Sequence, residues 1–272
     1  IAGASVASQN PSVSHSHQFV ISNCLFAANS SVQWISSSYP CNSAPLAFLG
    51  SDYDACPGTA IVERCTFAYN SYASGQDAAA LLVTQGKSTS TWFVRVRNSI
   101  FSGNLGSTFV ASAPTAADIR LNGYVEFDMD YSLIAGVNPP YVINSSSRSV
   151  TFGDHLVLAP DALFVTPQET FLGALTASGV QLPTHASRVI RAKQTDPTAW
   201  NFHLRGSTGY DDETTGARLV FRGRSPAIDA GDPAADYTSE PPPNGRRLNL
   251  GFYGGTPWAT RTAFGGMCII IR

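Results

Sequence analysis

The stretch that decides the fold is "ISNCLFAANS", Ile21 to Ser30, because the chain writes nearly the same decamer again as "VERCTFAYNS", Val62 to Ser71. In both decamers, apolar residues alternate with polar ones and then give way to a turn that contains Asn. A period of two is typical of β-strands and not of helices. Two further segments fit the same frame, "VRNSIFSGNL" from Val96 and "MDYSLIAGVN" from Met129.

The repeat has an irregular step. When the copies are aligned on the small residue before the apolar pair, Cys24, Cys65, Ser99 and Ser132 coincide, and successive anchors are separated by 41, 34 and 33 residues. Repeats of this length indicate a solenoid or a propeller. A propeller needs a hairpin signal in every repeat, whereas stacked parallel coils tolerate loops of different length between fixed strands. The sequence therefore predicts an all-β chain, a parallel β-helix solenoid with irregular coil lengths and long loops.

Stacked coils bring equivalent residues about 4.8 Å apart, so the alignment also predicts which side chains form columns. One column points inward and is apolar, and the other is an amide ladder at a corner, in which side chains hydrogen bond along the stack. The inward column consists of Phe26, Phe67, Phe101 and Ile134, and the ladder of Asn29, Asn70 and Asn104. We interpret these Asn residues as part of the fold and not as a binding site.

The chain has five cysteines, an odd number, and none is in a CxxC pair. Cys41 and Cys56 bracket a loop rich in Ser, Pro, Gly and Asp, and in an oxidising compartment they are the natural first disulfide. Stacking brings Cys24 near Cys65, within the Cα range of a disulfide, but parallel Cβ vectors are poor geometry for that bond, so both outcomes stay open. Cys268 is left over, as a buried thiol or an intermolecular partner.

Composition limits the partners and the compartment. Charged residues make up 13% of the chain, against about a quarter in ordinary domains, and the net charge is −2. No basic field favours nucleic acid or an anionic membrane, and no apolar run has the length of a membrane span. Because the chain begins with Ile1 and shows no signal peptide, we expect a processed or incomplete chain. We expect it to be extracellular or at the cell surface.

Three segments of the second half carry a family resemblance: "PDALFV" at Pro160 to Val165, "SPAIDAG" at Ser225 to Gly231 and "NLGFYGG" at Asn249 to Gly255. They resemble the C-terminal end of bacterial right-handed parallel β-helix proteins, the secreted or surface-anchored kind within the pectate-lyase-like superfamily. The resemblance covers about 21–255 and implies a right-handed coil. The resemblance does not indicate a particular activity, because adhesins, structural repeats and polysaccharide enzymes share this fold.

The predicted organisation is a single β-helix domain over 1–255, with repeat coils over about 19–138 and a terminal module over about 150–255. Residues 256–272 form a C-terminal tail. Within the terminal module, Pro226 and Gly231 bound a short apolar segment, 227–230, which is predicted to be a strand. Asp229 and Asp232 are expected to accept backbone N–H groups at the turn, and Arg246 or Arg247 to pair with one of them.

Carboxylates supply the candidate binding residues. Asp128 and Asp130 alternate with Met129 on a predicted strand and so share one face, either in a groove or on a solvated surface. Asp211 and Asp212 lie in "GYDDETTG", a predicted hairpin or long turn, where they either bind calcium or only contact solvent. Calcium is the one cofactor left open, and no other cofactor or metal is expected.

No catalytic constellation is recognisable. His155, His185 and His203 are scattered, with no Ser or carboxylate at an informative spacing, and no catalytic triad or phosphate-binding loop is present. The ordered polygalacturonase pattern is also missing, and Lys is scarce. No catalytic residue is therefore assigned.

The C-terminus ends in a strongly β-prone apolar segment without charge before Arg272, namely Met267, Cys268, Ile269, Ile270 and Ile271. Such a segment aggregates if it is left unpaired. It either pairs within the molecule as a last strand or completes the sheet of a neighbour by strand addition. In the second case the chain would associate head to tail with copies of itself.

These observations favour a non-catalytic extracellular protein, a structural, adhesive or filament-forming β-helix whose partner is itself or a surface glycan. One alternative is a polysaccharide lyase or glycoside hydrolase of the same fold. Another is non-enzymatic glycan binding through exposed aromatic rings. The aromatic candidates are Trp34, Tyr39, Tyr53 and Trp92.

Overall fold

The computed structural model describes residues 5–6, 17–27, 29–31, 44–50, 57–72, 78, 80–86, 88–104, 118–135, 142–145, 148–165 and 201–263. In these ranges the chain forms nineteen β-strands and no helix. The predicted all-β class is confirmed. Fifteen of the strands form three five-stranded sheets, in which every pairing is parallel.

Sheet A contains, in spatial order, β1 (Ser5–Val6), β5 (Leu46–Leu49), β9 (Leu81–Gln85), β12 (Ile119–Gly123) and β15 (Val142–Ser145). Sheet B contains β2 (His17–Ser22), β6 (Gly58–Glu63), β10 (Trp92–Arg97), β13 (Val125–Asp130) and β16 (Ser149–Phe152). Sheet C contains β3 (Leu25–Ala27), β7 (Thr66–Ala68), β11 (Ile100–Ser102), β14 (Leu133–Ala135) and β17 (Val157–Ala159). Two small pairs complete the set, parallel β4 (Ser30–Ser31) with β8 (Ser71–Tyr72), and antiparallel β18 (Tyr210–Asp211) with β19 (Arg218–Leu219).

Each sheet takes its strands in chain order, one from each successive repeat. Four of the five strands of sheet B are followed, after a two-residue link, by the next strand of sheet C. The first residue of each of these links has a positive φ: 50° at Asn23, 50° at Arg64, 53° at Asn98 and 43° at Tyr131. A single left-handed residue turns the chain sharply, so the same bend recurs in these four repeats.

The predicted inward column of large apolar side chains is confirmed. Phe26 pairs with Phe67, Phe67 with Phe101, and Phe101 with Ile134 in the strand register. The Phe26 and Phe67 ring centroids are 4.8 Å apart and those of Phe67 and Phe101 are 4.7 Å apart, with the planes within 10° of parallel. The steps of 41, 34 and 33 residues read from the sequence are therefore the steps of the actual strand register.

The predicted asparagine ladder is confirmed as well. The backbone N–H and the side-chain amide of Asn29 donate to Asn70 Oδ1 at 2.9 and 3.0 Å. The Asn70 side-chain amide donates to Asn104 Oδ1 at 3.0 Å, and Asn104 donates in turn to Asp118 Oδ1 at 2.7 Å. Asp118, which the repeat alignment did not reveal, is buried, and this burial raises the pKa of its carboxyl to about 7.

Cys24 and Cys65 are free thiols, so the disulfide that their stacking would allow is not formed in this structure. The thiol of Cys24 donates to the carbonyl of Ser22 at 3.3 Å, and that of Cys65 to the carbonyl of Glu63 at 3.3 Å. Each thiol therefore contacts a carbonyl of its own repeat, and the Cys65 thiol also lies 3.5 Å from the Ile21 carbonyl of the preceding repeat. The predicted Cys41–Cys56 disulfide and Cys268 lie outside the described residues, as do Met267 to Ile271.

Residues 201–263 cover the outer face of sheet C. Ile100 and Leu133, which point away from the inward column, pack with Leu204, Ile228 and Leu250 in one buried apolar cluster. Backbone hydrogen bonds fix this contact: the Phe252 N–H donates to the Thr66 hydroxyl at 3.1 Å, and the Gly251 N–H to the Asn98 carbonyl at 2.8 Å. The outer face of sheet C is thereby largely removed from solvent. The described outward side chains of sheet A, Ala47, Leu82 and Arg120, are buried as well, whereas Val20 and Phe93 on the outer face of sheet B are exposed.

The predicted strand over 227–230 is wrong. This segment is a turn, in which the Ile228 N–H donates to the Ser225 carbonyl at 3.3 Å and Asp229 has a φ of 59°, a conformation that a strand cannot contain. The pairing of Asp229 also differs from the expectation, because its carboxylate lies 3.3 Å from Arg224. Arg247 instead donates to the carbonyl of Gly231, at 3.0 Å from its Nε.

Candidate functional site

The accessible outer face of sheet B carries the candidate site. Along β10, Trp92, Val94 and Val96 are buried while Phe93 and Arg95 are exposed, so strict alternation sorts the side chains between core and surface. The parallel register aligns these outward positions across neighbouring strands. They form a groove of about 340 Å³ lined by Thr59, Ile61, Phe93, Val94, Arg95, Glu126, Phe127, Asp128, Ser149 and Thr151.

An aromatic ring lies in the middle of this groove. Phe93 is 47% exposed, and its neighbours in the register are Thr59 on β6 and Glu126 on β13. The flanking side chains combine hydroxyls, a carboxylate and the guanidinium of Arg95. A flat apolar face surrounded by hydrogen-bonding groups can bind a ligand that is apolar on one side and polar at its edges.

Asp128 and Asp130 share one face of β13, as predicted, because Met129 between them is fully buried. In the groove, Asp128 Oδ2 accepts from Arg97 Nη2 at 2.5 Å and lies 3.6 Å from Arg95 Nε. Arg97 also donates to the Asp128 backbone carbonyl at 3.2 Å. Two cations thus lie beside one carboxylate, which makes Asp128 part of an ion-pair network.

Asp130 forms a pair that the sequence analysis missed. Its Oδ2 lies 3.1 Å from Nδ1 of His155, and its Oδ1 accepts the backbone N–H groups of His155 and Tyr131 at 3.0 and 2.8 Å. The His155 ring stacks on Tyr131 with centroids 4.3 Å apart. At Gly153 a Cβ would come within 2.1 Å of the Asp130 carboxyl carbon, so this close turn requires glycine.

The electrostatics of Asp130 follow from these contacts. Partial burial alone would raise the pKa of its carboxyl, but the hydrogen bonds from the His155 ring and from two backbone N–H groups outweigh burial. The pKa of Asp130 therefore lies below its ordinary value, and the carboxylate is ionised at neutral pH. An anion in this position orients the imidazole of His155, whose side chain is 55% exposed beside the turn.

Asp211 and Asp212 lie elsewhere, in the antiparallel β18–β19 hairpin that the sequence predicted. Asp211 accepts from Arg218 at 2.6 Å and from Arg261 at 2.5 Å, and these hydrogen bonds lower the pKa of its carboxyl. Asp212 accepts from the backbone N–H groups of Thr214 and Thr215 at 3.1 and 2.8 Å, which lowers its pKa as well. Both carboxylates stabilise the hairpin, and neither lines the groove.

The remaining candidates are the aromatic rings proposed to stack on sugars and the possible calcium ligands. Trp92 is a core residue with 2% exposure, so it is not available as a sugar-stacking ring. Trp34, Tyr39 and Tyr53 lie outside the described residues. In the part of the chain that the structure describes, no three His, Cys, Asp or Glu side chains come together as a metal site, and the suggestion of calcium stays a prediction.

Comparison with known proteins identifies no relative. A scan against protein-family models finds no match, and searches of the curated proteins and of the solved structures find none either. The resemblance of the C-terminal segments to β-helix proteins therefore stays a prediction. Within the ranges described, no helix has the length and apolar character that crossing a membrane would require.

Proposed function

We propose that the chain is a right-handed parallel β-helix that serves as a non-catalytic extracellular structural, adhesive or filament-forming unit and stacks end to end with copies of itself. The coil architecture is supported by three parallel sheets that each take one strand per repeat in chain order. The right-handed sense is supported by the handedness of nearly all parallel crossover connections.

The self-associating role is carried by one observation, the exposure of core-column side chains at β16 and β17. Leu158 follows Ile134 in the column of stacked rings, yet it is 66% exposed. Phe152 follows the buried Met129 in a neighbouring inward column, yet it is 43% exposed. Side chains that continue two core columns thus face solvent on the outermost described strands of sheets B and C.

The opposite end of the stack offers matching chemistry. Ile21 on β2 and Phe26 on β3 begin the same two inward columns and are only partly buried. A second copy joined head to tail would bring Phe26 next to Leu158 and Ile21 next to Phe152, and it would extend each sheet through backbone hydrogen bonds. Such a contact joins two different surfaces, so it propagates into a fibre unless the rotation closes a ring.

Self-association is tested by sedimentation velocity and electron microscopy of the purified chain at increasing concentration. Leu158→Lys and Phe152→Lys are expected to abolish assembly, because each inserts a charge into the apolar end face. Val220→Lys is the matched control, since Val220 is 57% exposed on the C-terminal segment and belongs to no inward column. A wild-type chain that stays monomeric at every concentration, or assembles equally well with Leu158→Lys, would contradict the proposal.

The groove supports a second candidate function, non-enzymatic glycan binding. Its supporting observation is the exposed Phe93 ring flanked by Thr59, Glu126 and Arg95, since sugars present an apolar ring face and hydroxyl edges. Titration calorimetry with neutral and uronate-containing oligosaccharides tests this. Phe93→Ala is expected to weaken binding about tenfold, from the loss of one ring contact. Phe152→Ala, an exposed ring outside the groove, is the control and should bind like wild type.

A lyase or hydrolase activity has less support from the described residues. Glycoside hydrolysis uses two carboxyl groups facing the same bond, one protonated and one ionised. Asp128 is instead surrounded by Arg95 and Arg97, and Asp130 is bound by His155 and two backbone N–H groups. Incubation with uronate-containing polysaccharides, monitored for unsaturated products and reducing ends, separates binding from catalysis. Turnover that Asp128→Asn abolishes would replace the non-catalytic proposal.

A further inference from the structure

One column of side chains contains two sulfur atoms where hydroxyls would serve the fold equally well. The column occupies the position just before each of the first four sheet C strands, and each member donates to the carbonyl two residues earlier in the chain. The pairs are Cys24 to Ser22 at 3.3 Å, Cys65 to Glu63 at 3.3 Å, Ser99 to Arg97 at 2.8 Å and Ser132 to Asp130 at 3.0 Å. Serine thus makes the same contact as cysteine, so the fold itself does not require sulfur at the first two positions.

The two cysteines are direct neighbours in the stack. Leu25 pairs with Thr66 in the register, so the residues immediately before them, Cys24 and Cys65, lie in adjacent repeats. The Thr66 N–H donates to the Cys24 carbonyl at 2.9 Å. Strands pair about 4.8 Å apart, within the Cα separation of roughly 4.4–6.8 Å that disulfides span. The Cys65 thiol also lies 3.5 Å from the Ile21 carbonyl, so it reaches toward the repeat that contains Cys24.

We infer that Cys24 and Cys65 form a redox-sensitive pair that closes into a disulfide between the two repeats when a small-molecule disulfide such as oxidised glutathione is present. Closure requires both side chains to turn away from their own carbonyls and toward each other. Each gives up a thiol hydrogen bond, which is weak. This inference depends on the strand register and is independent of whether the chain assembles or binds a glycan.

The reaction proceeds as two thiol–disulfide exchanges. Cys24, which is only partly buried, attacks one sulfur of oxidised glutathione as the thiolate, and one glutathione thiolate leaves. Cys65 then gives its proton to solvent and attacks the Cys24 sulfur, and the second glutathione thiolate leaves. Two protein thiols are oxidised and one glutathione disulfide is reduced to two thiols. The second step is slow, because burial raises the pKa of the Cys65 thiol to about 12.

Closure would covalently join the link between β2 and β3 to the link between β6 and β7 in the next repeat. A covalent link across the 41 residues from Cys24 to Cys65 restricts the unfolded chain and so stabilises the fold. The disulfide would therefore oppose opening of the stack at the β2 and β3 end.

The test is peptide mapping without reduction after the full chain is equilibrated with oxidised or reduced glutathione. Trypsin cleaves after Arg64 and thereby separates the two cysteines, and chymotrypsin cleaves after Trp34 and thereby separates Cys24 from Cys41. The expected result is a Cys24–Cys65 linked peptide in the oxidised sample only. Free thiols at both positions, a glutathione adduct that persists on Cys24, or a link to another cysteine would overturn the inference.

Serine variants provide an independent readout. Cys24→Ser, Cys65→Ser and the double variant should fold, since Ser99 and Ser132 make the equivalent hydrogen bond. Oxidised glutathione is expected to raise the thermal unfolding midpoint of the wild type by several degrees and to leave that of the double variant unchanged. An equal rise in the double variant would assign the stabilisation to other cysteines and refute the role of this pair.

Discussion

Asn70 at the centre of the amide ladder offers the sharpest test of the stacked register. Its side chain makes four hydrogen bonds: Oδ1 accepts from the backbone and side-chain amides of Asn29, and Nδ2 donates to the Phe26 carbonyl and to Asn104 Oδ1. Asn70→Ala removes all four. Asn104 Oδ1 keeps a partner, because the backbone N–H of residue 70 still donates to it at 3.0 Å.

The magnitude follows from the groups that are left unpaired. A buried hydrogen bond contributes about 1 kcal/mol net, and each buried group left without a partner costs about 1–3 kcal/mol. Asn29 is only partly buried, so water can replace part of what its two donors lose. The largest part of the cost comes from the Phe26 carbonyl, which loses its hydrogen bond from Asn70 Nδ2. We expect Asn70→Ala to lower the free energy of unfolding by about 3–4 kcal/mol.

Urea unfolding monitored by tryptophan fluorescence and by far-UV circular dichroism measures this change, with coincident transitions as the check on a two-state analysis. Asn70→Asp is the matched variant, since its carboxylate still accepts from Asn29 but cannot donate to Asn104. Its destabilisation should shrink as pH falls and the carboxyl gains a proton. A loss below about 1 kcal/mol for Asn70→Ala would refute the reasoning, because an exposed amide changes stability by no more than that.

Three further predictions concern other columns and contacts. Phe67→Ala should lower the unfolding free energy by about 3–5 kcal/mol in the same urea assay, because the ring is fully buried between two stacked rings; a change near that of an exposed residue would contradict the column. The raised pKa of Asp118 means that the folded state binds a proton more tightly than the unfolded state. The stability that this proton contributes is present below about pH 4 and is lost as the pH rises to about 7. Asp118→Asn, which still accepts from Asn104, should remove this loss of stability, which is worth roughly 4 kcal/mol at most. Unfolding curves across pH check whether the difference in unfolding free energy between the variant and the wild type grows with pH. Gly251→Ala should loosen residues 201–263 from sheet C, because φ is 87° and a Cβ would lie 2.6 Å from the Thr66 hydroxyl; unchanged hydrogen-exchange protection of that segment would count against the contact.

The parts of the fold that could be predicted are those in which one residue type repeats at one position. The decamers with Phe26 and Phe67 predicted both the strand register and the ring column, because equivalent positions of neighbouring repeats carry the same or similar side chains. The asparagine ladder was predictable for the same reason. Asp118 accepts the last hydrogen bond of that ladder, but it has no counterpart in the other repeats. An alignment of the repeats therefore cannot identify it.

The candidate site was less predictable, because its contacts join residues with no common spacing. His155 reaches Asp130 across 25 residues through a turn that depends on Gly153. Arg97 and Asp128 meet only because β10 and β13 are neighbours in sheet B, with register Arg95 to Asp128. The strand predicted over 227–230 failed because apolar residues there fill a cluster from a turn, and apolar content alone cannot distinguish a turn from a strand.

The packing of residues 201–263 on sheet C limits which surface of the chain can bind a ligand selectively. Inward positions of the three sheets are mostly apolar, and most outward positions of sheet C are apolar as well, because residues 201–263 pack on them. The outward exceptions on sheet C, Thr66 and Ser102, are buried polar residues. Outward positions of sheet B meet no such requirement, and one row across the sheet reads Gln18, Thr59, Phe93, Glu126 and Ser149. This row combines an amide, two hydroxyls, an aromatic ring and a carboxylate, whereas the inward column of Phe26, Phe67, Phe101 and Ile134 is apolar throughout, which indicates that the fold does not dictate this row. A selective contact with a ligand would therefore be made there, whereas the exposed column ends, where like residues follow like, suit another copy of the same chain.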